Sequence, residues 1–99
     1  MKQITMKELA EKVKNKEDDV NVIDVREDEE VEQGKIPGAK HIPLGEVPER
    51  LGELDKDEHY YMVCRSGGRS GKASEFLETQ GYHVTNVDGG MLAWDDDVE

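Results

Sequence analysis

One cysteine stands between a short apolar run and a glycine-rich segment, and this juxtaposition constrains the fold more than any other stretch. Cys64 is the only cysteine among the 99 residues. The run 60–63 before it consists of Tyr, Tyr, Met and Val, which is typical of a buried strand. Beyond the loop, Ala73, Phe76 and Leu77 recur at helical spacing and predict a helix. The sequence therefore predicts a thiol at the end of a strand, followed by a glycine-rich loop and then a helix.

The loop has the composition of an anion cradle. It consists of Arg65, Ser66, Gly67, Gly68, Arg69 and Ser70. Glycine lets backbone N–H groups turn inward, and a helix N-terminus adds partial positive charge. Helix N-termini and nearby arginines also lower the pKa of a cysteine, and the thiolate is the nucleophilic form. We therefore interpret Cys64 as a catalytic nucleophile, with an ordinary buried thiol beside two surface arginines as the alternative.

Strand-like and helix-like segments alternate along the chain and predict one α/β domain over residues 1–99, with a mainly parallel sheet and helices on both faces. Thr5 and Glu8 match a capping box, which predicts a helix through about Asn15. The other predicted helices lie at 26–34, 46–54, 70–80 and 91–94. The other predicted strands lie at 20–25, at 82–88 and in a run that ends at Cys64. We also expect a polar turn at 16–19 and a turn with a short extended segment at 36–44.

Charge and residue counts argue against several classes of partner and cofactor. A net charge of −11 disfavours nucleic acid and anionic membranes, because both bind cationic surfaces. One cysteine cannot build a disulfide framework or a cysteine-based zinc site, and the three histidines lack metal-ligand spacing. We therefore expect no metal and no cofactor, and we interpret the acidic run 27–30 as a solvated face. The free thiol, without a signal-like or membrane-spanning run, predicts a cytoplasmic location.

Four segments together resemble the single-domain rhodaneses, a family of sulfurtransferases. Residues 64–70 are similar to the family's active-site loop, in which a cysteine is followed by Arg-x-Gly-x-Arg-Ser. Residues 23–27, 34–44 and 89–94 resemble an early strand motif, a Gly-His-Ile-Pro-Gly-Ala segment and a closing motif of the family. The four segments occur in the family's order and cover essentially the whole chain.

The resemblance implies a two-step sulfur transfer. Cys64 would take the outer sulfur of a donor such as thiosulfate as a persulfide, and would pass it to cyanide, a small thiol or a protein thiol. The backbone N–H groups from 65 to 70 would hold the terminal sulfur, and Arg65 would attract an anionic donor. Arg69 would tie the loop to an acidic partner, with Asp24 as the candidate. Arg26 would brace the loop from the neighbouring strand, although Asp24 and Arg26 could equally form a structural pair.

Two other functions use the same features. Cysteine phosphatases and arsenate reductases also combine a cysteine, an N–H cradle and an arginine, but their loops are typically one residue longer. Four residues separate Cys64 from Arg69, and a tetrahedral oxyanion needs a wider ring than a single sulfur atom. The short loop therefore favours sulfur transfer. A persulfide carrier or docking module without turnover is the second alternative, since the loop alone does not separate a carrier from an enzyme.

Overall fold

Five parallel strands form the central sheet of the computed structural model, which describes residues 1–17 and 20–99. The strands are β1 (Lys2–Thr5), β2 (Asn21–Asp24), β3 (Lys40–His41), β4 (His59–Val63) and β5 (His83–Asp88). Their spatial order is β1-β5-β4-β2-β3, and every pair of neighbours is parallel. The predicted α/β fold with a parallel sheet is confirmed. Strand β4, which precedes Cys64, lies at the centre of the sheet.

Helices cover both faces of this sheet, as predicted. Helix α1 (Met6–Lys14) contributes to one apolar cluster, which it shares with the strand residues Val22, Val63 and Val87. Helix α3 (Gly68–Thr79) contributes to a second cluster, which it shares with the strand residues Ile23, Met62 and Val84. Successive strand side chains point to opposite faces, so sequence neighbours on one strand belong to different clusters. A third, short helix, α2 (Asp28–Glu32), follows β2.

Helix α1 begins where the capping box predicts. The Thr5 hydroxyl accepts a hydrogen bond from the Glu8 N–H at 3.1 Å, and the Glu8 carboxylate accepts one from the Thr5 N–H at 3.3 Å. The sequence pattern does not predict β1 just before this helix, because Lys2 and Gln3 are polar and exposed. Strand β1 forms by pairing with β5 from the other end of the chain, and no local pattern shows such a contact.

Several element bounds differ from the predictions. Helix α3 begins at Gly68, two residues before the predicted start at 70. The segment predicted as a helix at 46–54 forms two 3-10 helices, Leu44–Glu46 and Pro48–Glu53, because a proline and scattered glycines disfavour a regular α-helix there. The turn predicted at 16–19 includes Asp18 and Asp19, which lie outside the described residues. Among the helices described, none is both long and apolar enough to cross a bilayer.

Candidate active site

Cys64 lies directly after the central strand, at the edge of the sheet where its strands end. Parallel α/β sheets bind ligands at this edge. The residue is 1% exposed, and the loop turns back over it at Gly67, whose φ is +116°. This backbone conformation favours glycine. It brings the Gly67 N–H within 3.0 Å of the Cys64 Sγ as a hydrogen-bond donor, so the loop closes around the sulfur.

The surroundings of Cys64 favour its ionised form. The Ser70 hydroxyl, buried on the first turn of α3, lies 3.4 Å from Sγ as a donor. Burial raises the pKa of the Cys64 thiol, but hydrogen bonds from the Ser70 hydroxyl and from the backbone N–H groups of Ser70, Gly67 and Ser66 outweigh it. The net effect lowers the pKa of Cys64 below its usual value. Cys64 is therefore thiolate at neutral pH to a larger fraction than an ordinary cysteine.

Three of the predicted loop residues, Arg65, Ser66 and Gly68, are exposed at the rim. Arg26, Arg50 and Arg69 each pair with a carboxylate, whereas Arg65 has no ion pair within residues 1–17 and 20–99. Arg65 also borders a groove of about 240 Å³, whose other lining residues are Arg26, Glu30, Gln33, Met91 and Leu92. Its positive charge is thus available to a ligand that approaches the loop.

Arg69 binds Glu30, which corrects the expectation that Asp24 is its partner. The guanidinium donates two hydrogen bonds to the Glu30 carboxylate, at 2.6 and 2.8 Å. The hydrogen bonds from Arg69 lower the pKa of Glu30 to about 2, so the pair is ionised at neutral pH. It ties α3 to α2, and the interpretation of 27–30 as a wholly solvated face is therefore wrong at Glu30. Asp24 is unavailable to Arg69 because Arg26 already occupies its carboxylate.

Asp24 and Arg26 form a buried pair at the end of β2. The Arg26 Nε lies 3.0 Å from each carboxylate oxygen of Asp24, and Nη2 lies 2.8 Å from Oδ2. Nη2 also donates to the Gly34 carbonyl at 2.8 Å, and Nη1 donates to the Glu30 carbonyl at 3.4 Å. These contacts make Asp24 and Arg26 a structural pair, which is one of the two alternatives that the sequence left open. The pair supports α2, and its contact with Glu30 links it to Arg69 of the Cys64 loop.

The closing segment of the chain packs against the backbone of the loop. A 3-10 helix at Gly90–Ala93 donates the Met91 N–H to the Cys64 carbonyl at 2.9 Å, and the Leu92 N–H to the Arg65 carbonyl at 3.0 Å. Gly90 has a φ of +53°, and a Cβ atom there would lie 2.5 Å from the Cys64 carbonyl oxygen. Only glycine allows this approach, so the segment fixes the two peptide groups that follow Cys64.

Two residues that were not predicted as site residues hold the loop. One is Glu30, and the other is Asn86 on β5, which is buried and contacts Ser70 and Gly67. Asparagine is disfavoured in strands, so its place in the run 82–88 is a signal that could have been found. Glu30 carries no such signal, being one of four consecutive acidic residues. Within the described ranges, no group of three His, Cys, Asp or Glu residues could hold a metal ion.

The fold and the site together define a class of protein: a parallel α/β domain that holds a lone cysteine in an N–H-lined loop after its central strand. A family model described as "Rhodanese-like domain" matches residues 5–97. The chain belongs to this family. It is 46% identical over 99 residues to "Putative sulfurtransferase YtwF" of Bacillus subtilis. The alignment covers 100% of this chain and 95% of that relative.

Two further comparisons agree on the family and the fold. The chain is 42% identical over 93 residues to "Putative sulfur carrier protein YrkF" of Bacillus subtilis. The alignment covers 93% of this chain and 50% of that relative. The crystal structure of a rhodanese-like domain protein from Staphylococcus aureus matches with a TM-score of 0.94 and 46% identity, over 100% of this chain and 97% of that one.

Proposed function

We propose that this protein is a sulfurtransferase. It would move a sulfane sulfur from a donor such as thiosulfate to a nucleophilic acceptor, cyanide or a thiol, through a persulfide on Cys64. The observation that carries the proposal is the environment of Sγ, which accepts hydrogen bonds from the Gly67 N–H and the Ser70 hydroxyl. The lowered pKa of Cys64, membership of the rhodanese-like family and the identity to a relative named a sulfurtransferase support it.

The proposed reaction consists of two displacements on sulfur. The Cys64 thiolate attacks the outer sulfur of thiosulfate, a new S–S bond forms, and sulfite leaves with the electron pair of the bond that breaks. The persulfide then carries its negative charge on the outer sulfur, which we expect the N–H groups of residues 65–70 to bind. Cyanide or a thiolate attacks that sulfur, and the Cys64 thiolate leaves. Neither step transfers a proton, so the reaction requires no general base.

The contacts of Arg69 disfavour phosphoryl or arsenate chemistry. An enzyme that handles a tetrahedral oxyanion uses an arginine that is free to clamp the oxygens. Arg69 instead directs both terminal nitrogens at the Glu30 carboxylate, at 2.6 and 2.8 Å. Together with the four-residue spacing between Cys64 and Arg69, this contact supports transfer of sulfur rather than of a phosphoryl group.

Turnover with small molecules tests the proposal and separates an enzyme from a carrier. The assay follows thiocyanate formation from thiosulfate and cyanide with protein in catalytic amounts. Many equivalents of thiocyanate per protein support the enzyme. A single equivalent supports a carrier, the second candidate, which the identity to a relative named a sulfur carrier favours. Failure to form thiocyanate, with or without release of phosphate from an aryl phosphate, would contradict sulfur transfer between these molecules.

Arg65 is proposed to attract the anionic donor. Because its guanidinium is exposed and unpaired among the described residues, we expect Arg65→Gln to lower kcat/KM for thiosulfate about tenfold, the size of a charge-assisted contact. Alkylation of Cys64 by iodoacetamide, an uncharged electrophile, should proceed at nearly the wild-type rate. Arg50→Gln is the matched control, because Arg50 pairs with Glu53 and lies outside the loop. Equal losses for anionic thiosulfate and for the uncharged reagent would contradict this role.

The proposed partners follow from the same chemistry. They are small sulfur donors and cyanide or thiol acceptors, and a protein thiol is a further acceptor of the same class. A net charge of −11 disfavours nucleic acid and anionic membranes as partners. A cytoplasmic location suits the proposal, because reducing conditions keep a lone thiol free for reaction.

A further inference from the structure

The side-chain amide of Asn86 contacts Gly67 and Ser70, two of the residues that donate hydrogen bonds to the Cys64 sulfur. Its Oδ1 accepts from the Ser70 hydroxyl at 2.6 Å, and its Nδ2 donates to the Gly67 carbonyl at 3.2 Å. Asn86 is 4% exposed and lies on β5, next to the strand that precedes Cys64. A buried amide is costly unless it is hydrogen-bonded. These two contacts satisfy it, and both lie on the loop.

The chemistry of the two partners fixes the orientation of the amide. The Gly67 carbonyl oxygen only accepts hydrogen bonds, so it requires the NH₂ group of Asn86 on its side. The carbonyl oxygen of the amide then faces Ser70, whose hydroxyl can donate to it. A reversed amide would place two acceptor oxygens against each other at Gly67. Asn86 therefore couples the Gly67 carbonyl and the Ser70 hydroxyl through one rigid group.

Ser70 has a single hydroxyl proton and two acceptors within reach. The acceptors are the Asn86 Oδ1 at 2.6 Å and the Cys64 Sγ at 3.4 Å. When Cys64 is a thiol, the Ser70 proton can stay on Asn86 while the S–H donates to the Ser70 oxygen. When Cys64 is a thiolate, the same proton can point between the two acceptors and form a three-centre hydrogen bond with Oδ1 and Sγ. Asn86 thus holds the Ser70 oxygen where it serves both states.

We propose that Asn86 is a positioning residue that keeps the Gly67 N–H and the Ser70 hydroxyl oriented to stabilise the Cys64 thiolate. Without the amide, the Gly67 carbonyl keeps only the hydrogen bond from the Gly71 N–H, at 3.0 Å, so residue 67 is held less firmly and its N–H can turn away from the sulfur. The Ser70 hydroxyl also loses the partner that fixes its position. The inference rests on the proposed function only in taking Cys64 as the nucleophile.

The pH dependence of Cys64 alkylation by iodoacetamide tests this role without any sulfur transfer. Asn86→Leu, which is similar in shape but lacks both contacts, is expected to move the midpoint of the alkylation profile to higher pH. Below the wild-type midpoint its alkylation rate should fall at least about threefold, because the rate follows the thiolate fraction. Asn86→Asp should move the midpoint further, since it lacks the donor to Gly67 and adds a negative charge near the sulfur.

Thr85→Val is the matched control. Thr85 is buried on the same strand, its side chain points to the opposite face, and its hydroxyl contacts His59 at 2.7 Å. The variant should lose stability without a shift in the alkylation midpoint. Neither Asn86→Leu nor Thr85→Val changes a charged group, so those near the loop stay as they are, among them Asp24, Arg26, Glu27, Glu30, Arg65 and Arg69.

Midpoints that are unchanged or lower in the Asn86 variants, with only their stability reduced, would overturn the inference. If Asn86→Leu does not fold, Asn86→Ser gives the same measurement, because one short hydroxyl cannot replace both contacts. Wild-type protein that forms no thiocyanate while the Asn86 variants still shift the midpoint would count against the proposed function alone. The two failures are therefore distinguishable.

Discussion

Cys64→Ser is expected to take up no sulfur from thiosulfate, whereas the wild-type protein should gain about 32 Da, the mass of one sulfur atom on its nucleophile. A serine hydroxyl is not ionised near neutral pH and does not attack sulfur, so the loss should be complete. The substitution is close to isosteric, and a serine oxygen can still accept the Gly67 N–H bond that Sγ accepts at 3.0 Å. We therefore expect a stability change of only about 1 kcal/mol.

Intact mass spectrometry after desalting measures this difference directly. Addition of cyanide should return the wild-type mass to its starting value and release thiocyanate. Wild-type protein alkylated with iodoacetamide before the incubation is the matched control. Its sequence is unchanged but its thiol is blocked, so it should also gain no sulfur. A sulfur gain in Cys64→Ser would contradict Cys64 as the acceptor atom, since the chain has no other cysteine.

The position of Cys64 between a strand and a helix could be predicted because the patterns that define it are local. The apolar run before Cys64, the glycines after it and the helical spacing of Ala73 and Leu77 lie within one short stretch. They specify strand β4, a loop and helix α3 in that order. The capping box at Thr5 is equally local, and it forms as expected. Patterns of this kind therefore predicted the elements and the parallel α/β class.

The partners of the loop could not be predicted, because they depend on contacts between distant segments. Glu30 lies 39 residues before Arg69, and nothing in four consecutive acidic residues shows which of them faces α3. The resemblance suggested that Asp24 is the partner of Arg69. Asp24 instead binds Arg26, which lies two residues further along the chain. Asn86 is unusual in a strand, but its contacts with Ser70 and Gly67 become visible only when β5 lies beside β4. Side-chain pairing therefore required the three-dimensional structure.

Gly90→Ala is expected to reduce both stability and activity, although it leaves Cys64 and its hydrogen-bond donors unchanged. A methyl group there would lie 2.5 Å from the Cys64 carbonyl oxygen and 2.6 Å from the Arg65 carbonyl carbon, which are backbone atoms that cannot rotate away. Overpacking and the positive φ together should cost about 3 kcal/mol. Because the loop must move to relieve the contact, turnover of the folded fraction should fall on the order of 100-fold.

Gly89→Ala separates this contact from backbone strain alone. Gly89 also has a positive φ, of +88°, but a Cβ atom there meets only the Ala93 side chain, at 3.2 Å. Urea unfolding should show a loss of about 1 kcal/mol for Gly89→Ala, and its thiocyanate formation should stay near the wild-type rate. Equal losses of activity in the two variants would show that the geometry of the turn matters, rather than the approach of Gly90 to the nucleophile. A larger loss for Gly90→Ala would mean that this approach holds the Cys64 and Arg65 peptide groups in the reactive arrangement.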